Sequence, residues 1–230
     1  MSDFYDVEGH VLYALRNAQV KNWPFPHFFV ENVFPSAFYD SLMLKLAEKR
    51  DFEEVEGRYH GRAFGGMEDL ADFDFMKGKS FLQEVCSIFK EAMTKHFEGQ
   101  KAVVYNDLRL IRDKAGYFIG PHTDAAWKLV SLLFYLPQDD WYYEYGTSVY
   151  LPKDREFRCA GGPHHYFAHF DKIFTAPYRR NTCFGFFKTD NSFHGVEPLK
   201  HQFNRDVLLY NVYDQAIYLQ THKPSAEQQP

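Results

Sequence analysis

Cysteine is scarce. Cys86, Cys159 and Cys183 are the only three in 230 residues, an odd number with no Cys-x-x-Cys spacing. That excludes a disulfide scaffold and a thiolate zinc site, and leaves the three as small buried hydrophobes. Long apolar runs are missing too, so no segment is expected to span a bilayer. The first twenty residues, MSDFYDVEGHVLYALRNAQV, lack the basic-then-apolar layout of a signal peptide. The expectation is a cytoplasmic protein with no membrane partner. Nor is there a surplus of positive charge: 26 Lys and Arg face 31 Asp and Glu, a net −5. A nucleic-acid partner, which needs concentrated cations to neutralise phosphates, is therefore not expected. No internal repeat or linker interrupts the chain, which reads as one domain over 1–230.

What the chain has in quantity is aromatic residues, 19% in all, with 24 Phe and 16 Tyr. Such side chains suit pleated, half-buried surfaces, so a mainly β core is expected. The first hundred residues form a mixed, helical part. Pro35-Ser36 opens a helix marked by Phe38, Leu42 and Leu46, and from Ser80 the residues Phe81, Val85, Ile88, Phe89, Ala92, Met93 and Phe97 mark a second one that stops before Gly99. Residues 51–79 read as glycine-rich loops with short strands. From 101 to 220 the texture changes to AVVY, LRLIR, YFIG, LVSLLFYL, TSVYLP, CFGFF and VLLYNVY, separated by Gly, Pro, Asp and Asn. Short strands that follow helices, without alternating with them, predict a double-stranded β-helix: a jelly-roll, cupin-like core with flanking helices. Residues 221–230 read as a polar, mobile tail.

Eleven histidines and few cysteines favour imidazole and carboxylate metal ligands. Two His-x-Asp triplets occur, His122-Thr123-Asp124 and His169-Phe170-Asp171. In a strand, positions i and i+2 share a face, so either triplet presents an imidazole beside a carboxylate. Spacing separates them. A jelly-roll site takes its third ligand from a late strand, and His194 is the candidate. Asp124 and His194 are separated by 69 residues, room for four strands with their turns, whereas only 22 separate Asp171 from His194. The set is therefore His122, Asp124 and His194, with His169 and Asp171 read as loop or lid residues. Two imidazoles and a carboxylate leave coordination positions open, as in non-haem Fe(II) oxygenases. Arg205 follows His194 by 11 positions at the start of a strand. A guanidinium inside a barrel is costly unless it faces an anion, and its planar fork matches a carboxylate, which implies a dicarboxylate co-substrate.

The ordered set His122, Asp124, His194 and Arg205 resembles the signature of the Fe(II)/2-oxoglutarate-dependent dioxygenases. Gly116 to Asp124 looks like the iron-binding strand of that family and Ser192 to Pro198 like its distal histidine strand. The opening Trp23-Pro24-Phe25-Pro26-His27-Phe28 is similar to that of bacterial members akin to prolyl 4-hydroxylases. The resemblance implies Fe(II) on His122, Asp124 and His194, with O2 and 2-oxoglutarate as co-substrates. It places the far carboxylate of 2-oxoglutarate on Arg205 and admits ascorbate as an accessory reductant. The product set is a hydroxylated small-molecule, amino-acid or peptidyl substrate together with succinate and CO2. Relatives akin to prolyl 4-hydroxylases often carry Tyr three residues before the first His. Here that position is Ile119, with Tyr117 two further back, so Tyr117 is the candidate second contact for 2-oxoglutarate, and Tyr105 and Asn106 are others.

The protein is expected to be a monomer or a homodimer, and the competing class is a non-catalytic metal-binding jelly roll that senses or scaffolds. An intact triad with Arg205 argues against it, because a scaffold has no use for open iron positions. His164, His165 and His169 sit in a loop-like setting without an acidic companion at ligand spacing and are not assigned a second metal. The aromatic segment Asp139 to Tyr145 reads equally well as a lid, a substrate wall or a surface loop.

Overall fold

A computed structural model describes residues 6–54, 60–200 and 202–222. Five helices are assigned: α1 (Val7–Arg16), α2 (Ser36–Glu48), α3 (Lys79–Ile88), α4 (Lys90–His96) and α5 (Gln215–Thr221). The strands are β1 (His27–Glu31), β2 (Glu53–Glu54), β3 (Arg62–Phe64), β4 (Val104–Asp113), β5 (Ile119–His122), β6 (Lys128–Tyr135), β7 (Ser148–Pro152), β8 (Phe170–Thr175), β9 (Thr182–Phe187), β10 (His194–Val196) and β11 (Arg205–Asp214). They build two antiparallel sheets, one ordered β1-β9-β6-β11-β4-β3-β2 and the other β5-β10-β7-β8. This is the expected double-stranded β-helix with flanking helices.

The alternation of side chains explains why LVSLLFYL and CFGFF are apolar almost throughout. On β6, Val130, Leu132 and Phe134 turn outward to the helices, while Tyr135 turns inward; on β9, Cys183 faces out and Phe184 and Phe186 face in. Both faces of the large sheet are covered at these two strands, so both parities of β6 and β9 are hydrophobic. The outer cover comes from α1 with Val11, Leu12 and Leu15, from α2 with Tyr39, Leu42, Met43 and Leu46, and from α3 with Phe81 and Val85. Each such side chain is buried at helical spacing and contributes about 1.5–3 kcal/mol. The inner cover is a cluster of Phe25, Tyr135, Val149, Tyr178, Phe184, Phe186 and Val207 inside the barrel.

Four local expectations need correction. Val104 and Tyr105, the end of AVVY, and LRLIR belong to one ten-residue strand, β4. The helix expected from Ser80 to Phe97 breaks at Phe89 (φ −104°, ψ 32°), whose ring packs between Phe28 and Phe187 in the core. An N-terminal helix, α1, was not foreseen. It is capped by the Asp6 side chain, which accepts from the Gly9 amide at 2.8 Å. Residues 51–79 hold the expected short strands, β2 and β3, but also a run of 3₁₀ turns over Met67–Lys77 that the loop reading misses; residues 55–59 lie outside the described part. So does most of the 221–230 tail, from 223 onward. All three cysteines are free thiols. Cys183 is fully buried, while Cys86 and Cys159 are half-buried against apolar clusters.

Candidate metal centre

His122 ends β5 and His194 begins β10, and the two are direct partners in the register of those strands. Their rings therefore lie side by side, with centroids 4.4 Å apart. The approach depends on Gly195, while Gly120 lets the main chain at His165 lie against β5. A Cβ on Gly195 would sit 2.5 Å from the Ile119 carbonyl oxygen, and one on Gly120 would sit 2.3 Å from the His165 carbonyl oxygen. Asp124 lies two residues beyond the end of β5, outside the strand, so the shared-face argument does not place it. Its neighbours do. Oδ2 accepts from the Ser131 hydroxyl at 2.9 Å, and Oδ1 lies 3.2 Å from the Lys128 ammonium.

One donor atom from each of His122, Asp124 and His194 falls within 4.8 Å of the others, and among the described residues no other His, Cys, Asp or Glu trio converges in this way. The tautomers follow from the backbone. Nδ1 of His122 donates to the Gly120 carbonyl at 3.0 Å and Nδ1 of His194 donates to the Ser192 carbonyl at 2.9 Å. A carbonyl only accepts, so both Nδ1 atoms carry the proton and each Nε2 turns a lone pair toward the centre. Burial, with His194 adding to it, pushes the His122 imidazole down to about 3, and burial lowers His194 as well. Burial opposes ionisation of Asp124, yet Lys128 and both imidazoles outweigh it and hold the carboxyl well below the usual range. All three donors are thus in their metal-binding forms, with no proton to displace.

Lone pairs and a carboxylate that converge in this way can hold a cation between them. His194 Nε2 and Asp124 Oδ1 are 4.0 Å apart, too far for a hydrogen bond. The set has two nitrogens, one oxygen and no sulfur, which fits a divalent ion such as Fe(II) with open positions better than a closed structural zinc.

Around the triad lie residues that sequence reasoning missed. Ser131 Oγ also lies 3.3 Å from Asn211 Oδ1, and Asn211 Nδ2 donates to Asp107 at 2.8 Å, as does the Tyr213 hydroxyl at 2.9 Å. The available signal was a Ser and an Asn set in otherwise apolar strand runs. The ring of Phe186 lies tilted against His194, centroids 4.5 Å apart, and Val149 of β7 pairs with His194, so one side of the centre is lined by apolar groups.

Arg205 is 1% exposed and shares the inner face of the barrel with Val207 and, six residues on, Asn211. It meets an anion inside the chain that the sequence did not announce: Nη1 donates to Asp113 at 2.8 Å, while Nε donates to the Tyr145 carbonyl at 2.6 Å. Its Nη2 is buried and has no hydrogen-bond partner among the described residues. An orphaned guanidinium nitrogen in the interior fits a carboxylate of a small ligand. Tyr117 is buried, with its ring 4.4 Å beneath the guanidinium of Arg62, which also binds Asp113. Tyr105 stacks on Tyr213 at the other end of β11 and Asn106 pairs with Val212, so neither reaches Arg205.

The remaining candidates stand apart. His169 ends a 3₁₀ turn and Asp171 lies within β8, ion-paired with Arg155 at 2.8 Å, so the pair belongs to the edge of the small sheet and forms no lid. His164 stacks on Phe118, and the backbone amide of His165 donates to Pro121. The segment Asp139 to Tyr145 lies at the Arg205 end of the barrel, where Tyr142 and Tyr145 stack on Phe203.

No helix among the described residues is long and apolar enough to cross a membrane. No protein-family model matches the chain, and no curated protein matches it in sequence. Solved structures do. A prolyl hydroxylase from Trichoplax adhaerens in complex with a hypoxia-inducible-factor peptide superposes with a TM-score of 0.55 at 14% identity, over 94% of this chain and 92% of that one. A Pseudomonas putida prolyl-4-hydroxylase gives 0.55 at 11% identity over 89% and 99%. HygX from Streptomyces hygroscopicus, crystallised with nickel and 2-oxoglutarate, gives 0.52 at 10% identity over 82% and 83%. In fold, this chain is similar to the prolyl hydroxylases and to a protein that holds a metal ion together with 2-oxoglutarate.

Proposed function

We propose that the chain is an Fe(II)- and 2-oxoglutarate-dependent dioxygenase that hydroxylates a C–H bond of a small-molecule, amino-acid or peptidyl substrate and releases succinate and CO2. The observation that carries this reading is the convergence of His122, Asp124 and His194, in metal-binding protonation states, inside a jelly roll whose interior also holds Arg205. When bound, the ferrous ion and 2-oxoglutarate supply the oxidising chemistry: decarboxylation to succinate places one atom of O2 in succinate and leaves the other for the substrate.

The protein's own share is to bind, orient and exclude. The carbonyls of Gly120 and Ser192 fix both imidazole rings, so the metal meets preset nitrogens. Ser131 holds Oδ2 of Asp124 and thereby directs Oδ1 toward the ion. Arg205 offers its Nη2 to the far carboxylate of 2-oxoglutarate, with Tyr117 packed in the same group of charges. Val149, Phe186 and Val207 belong to one cluster between the histidines and the arginine and keep water from that side.

The test is uncoupled turnover. Wild-type protein with Fe(II), O2 and 2-oxoglutarate is expected to form succinate, and His194→Ala is expected to reduce it to background. A wild type that demonstrably binds the metal yet yields no succinate would overturn the oxygenase reading and favour a non-catalytic sensor.

A further inference from the structure

The large sheet ends in β1 and the small sheet in β8. Between these two edges lies a cleft of about 500 Å³, a size usual for small-molecule sites. His27 and Phe29 line it from β1, Phe184 from β9 and Phe174 from β8, while the exposed Lys21 and Trp23 stand at its mouth. It is separate from the metal centre. His27 pairs with Phe186 and Phe186 with Ser131, so the cleft lies two strands away, and the strand between carries the ring that rests against His194.

The lining is mostly aromatic, but its most deeply buried polar member is an imidazole. His27 is 4% exposed and sits among the rings of Phe25, Phe174 and Phe184, at centroid distances of 5.7, 5.2 and 6.0 Å. Its Nδ1 donates to the Phe25 carbonyl at 2.8 Å, which leaves Nε2 as a lone-pair acceptor that receives no hydrogen bond among the described residues. Burial lowers the pKa of the ring, which favours the neutral, accepting form. A buried acceptor is expensive to leave unmatched, and a donor entering the cleft would match it. At the mouth, Lys21 makes no ion pair among the described residues, and no Asp or Glu lines the cleft. The charge there is therefore positive and uncompensated.

We propose that this cleft binds a small aromatic acid, its ring held by Phe29, Phe174 and Phe184, a hydroxyl or N–H on the ring donating to His27 Nε2, and its carboxylate at Lys21. None of these residues is a candidate metal ligand, so the proposal does not depend on the oxygenase reading.

Calorimetry on the full chain tests it with 4-hydroxyphenylacetate as the probe, phenylacetate as the analogue without the hydroxyl and 4-methylphenol as the analogue without the acid. The probe is expected to bind with a Kd on the order of 0.1–1 mM, and each analogue roughly 3- to 10-fold more weakly. Lys21→Glu alters an exposed side chain and keeps the backbone bonds between Lys21 and His27. It is expected to weaken the probe roughly tenfold and to leave 4-methylphenol unchanged. His27→Phe is expected to bring the probe down to the affinity of phenylacetate. Three results would each overturn the proposal, even if His27→Phe fails to fold: no binding of the probe at millimolar concentration, equal affinity for the probe and both analogues, or probe affinity unchanged in Lys21→Glu. The last would place the acid elsewhere, as on Arg205.

Discussion

Strands β4 and β11 carry two ionic rungs at successive positions, and the two are built to different ends. On the outer face Arg112 binds Asp206 through two bonds, at 2.7 and 2.8 Å, and adds backbone carbonyls of α2 and the residue after it, Leu46 and Lys49. It is one cation to one anion, with the guanidinium surrounded by acceptors. One residue along each strand, on the inner face, Arg62 and Arg205 share Asp113 and a nitrogen is left over. The outer rung is closed and fastens α2 to the sheet. The inner rung is open, with Nη2 of Arg205 buried and without a hydrogen-bond partner among the described residues.

The sharpest way to break this comparison is to remove one arginine from each rung. Arg112→Met leaves Asp206 as a buried, uncompensated charge, and urea denaturation should show a loss of about 3–5 kcal/mol. Arg205→Met leaves Asp113 still gripped by Arg62, so its loss of stability should be clearly smaller while 2-oxoglutarate binding disappears. Equal destabilisation by the two variants would mean that the inner rung is as closed as the outer.

A second contrast sets the rungs against the metal end, where the charged state depends on pH. Both ligand imidazoles are lowered by burial, His122 to about 3, against about 6.5 in an unfolded chain. A lowered histidine favours the fold while neutral. Its contribution is complete above about pH 6.5 and is lost progressively as pH falls toward 3, because the unfolded state takes up protons first. The metal-free protein should therefore lose stability over that window, and His122→Gln should flatten the slope of urea midpoint against pH.

The smallest of these effects concerns Ser131. Ser131→Ala frees Oδ2 of Asp124 while leaving all three ligands in place. Metal affinity measured by competition with a chelator should fall roughly 10- to 100-fold, with little change in the stability of the metal-free protein. An unchanged affinity would mean that Lys128 and the backbone alone orient the carboxylate.

What could be read in the sequence was whatever is local or ordered along it. His122, Asp124, His194 and Arg205 stand out in the sequence because the motif fixes their order and separation, and the structure brings the first three together and buries the fourth; the strands of the barrel are legible as short apolar runs. Asp124 was chosen for partly the wrong reason, since β5 ends before it and its neighbours seat it. Arg62, Asp113 and Ser131 escaped because their meaning comes from register. Asp113 becomes the partner of Arg205 only when β4 and β11 align with those two residues opposite, and nothing in either strand announces that alignment. α1 was hidden by Gly9, a poor helix former that lies under the Asp6 cap.

The bare α-carbon of residue 195 makes the gap between the two imidazoles a property of main chain. With no methyl to hold β10 away from β5, the rings hang from directly paired positions on adjacent strands, at a span set by the ladder between them. Such a frame behaves like a calliper locked at one setting, able to accept different guests at its open side while its own jaws stay put.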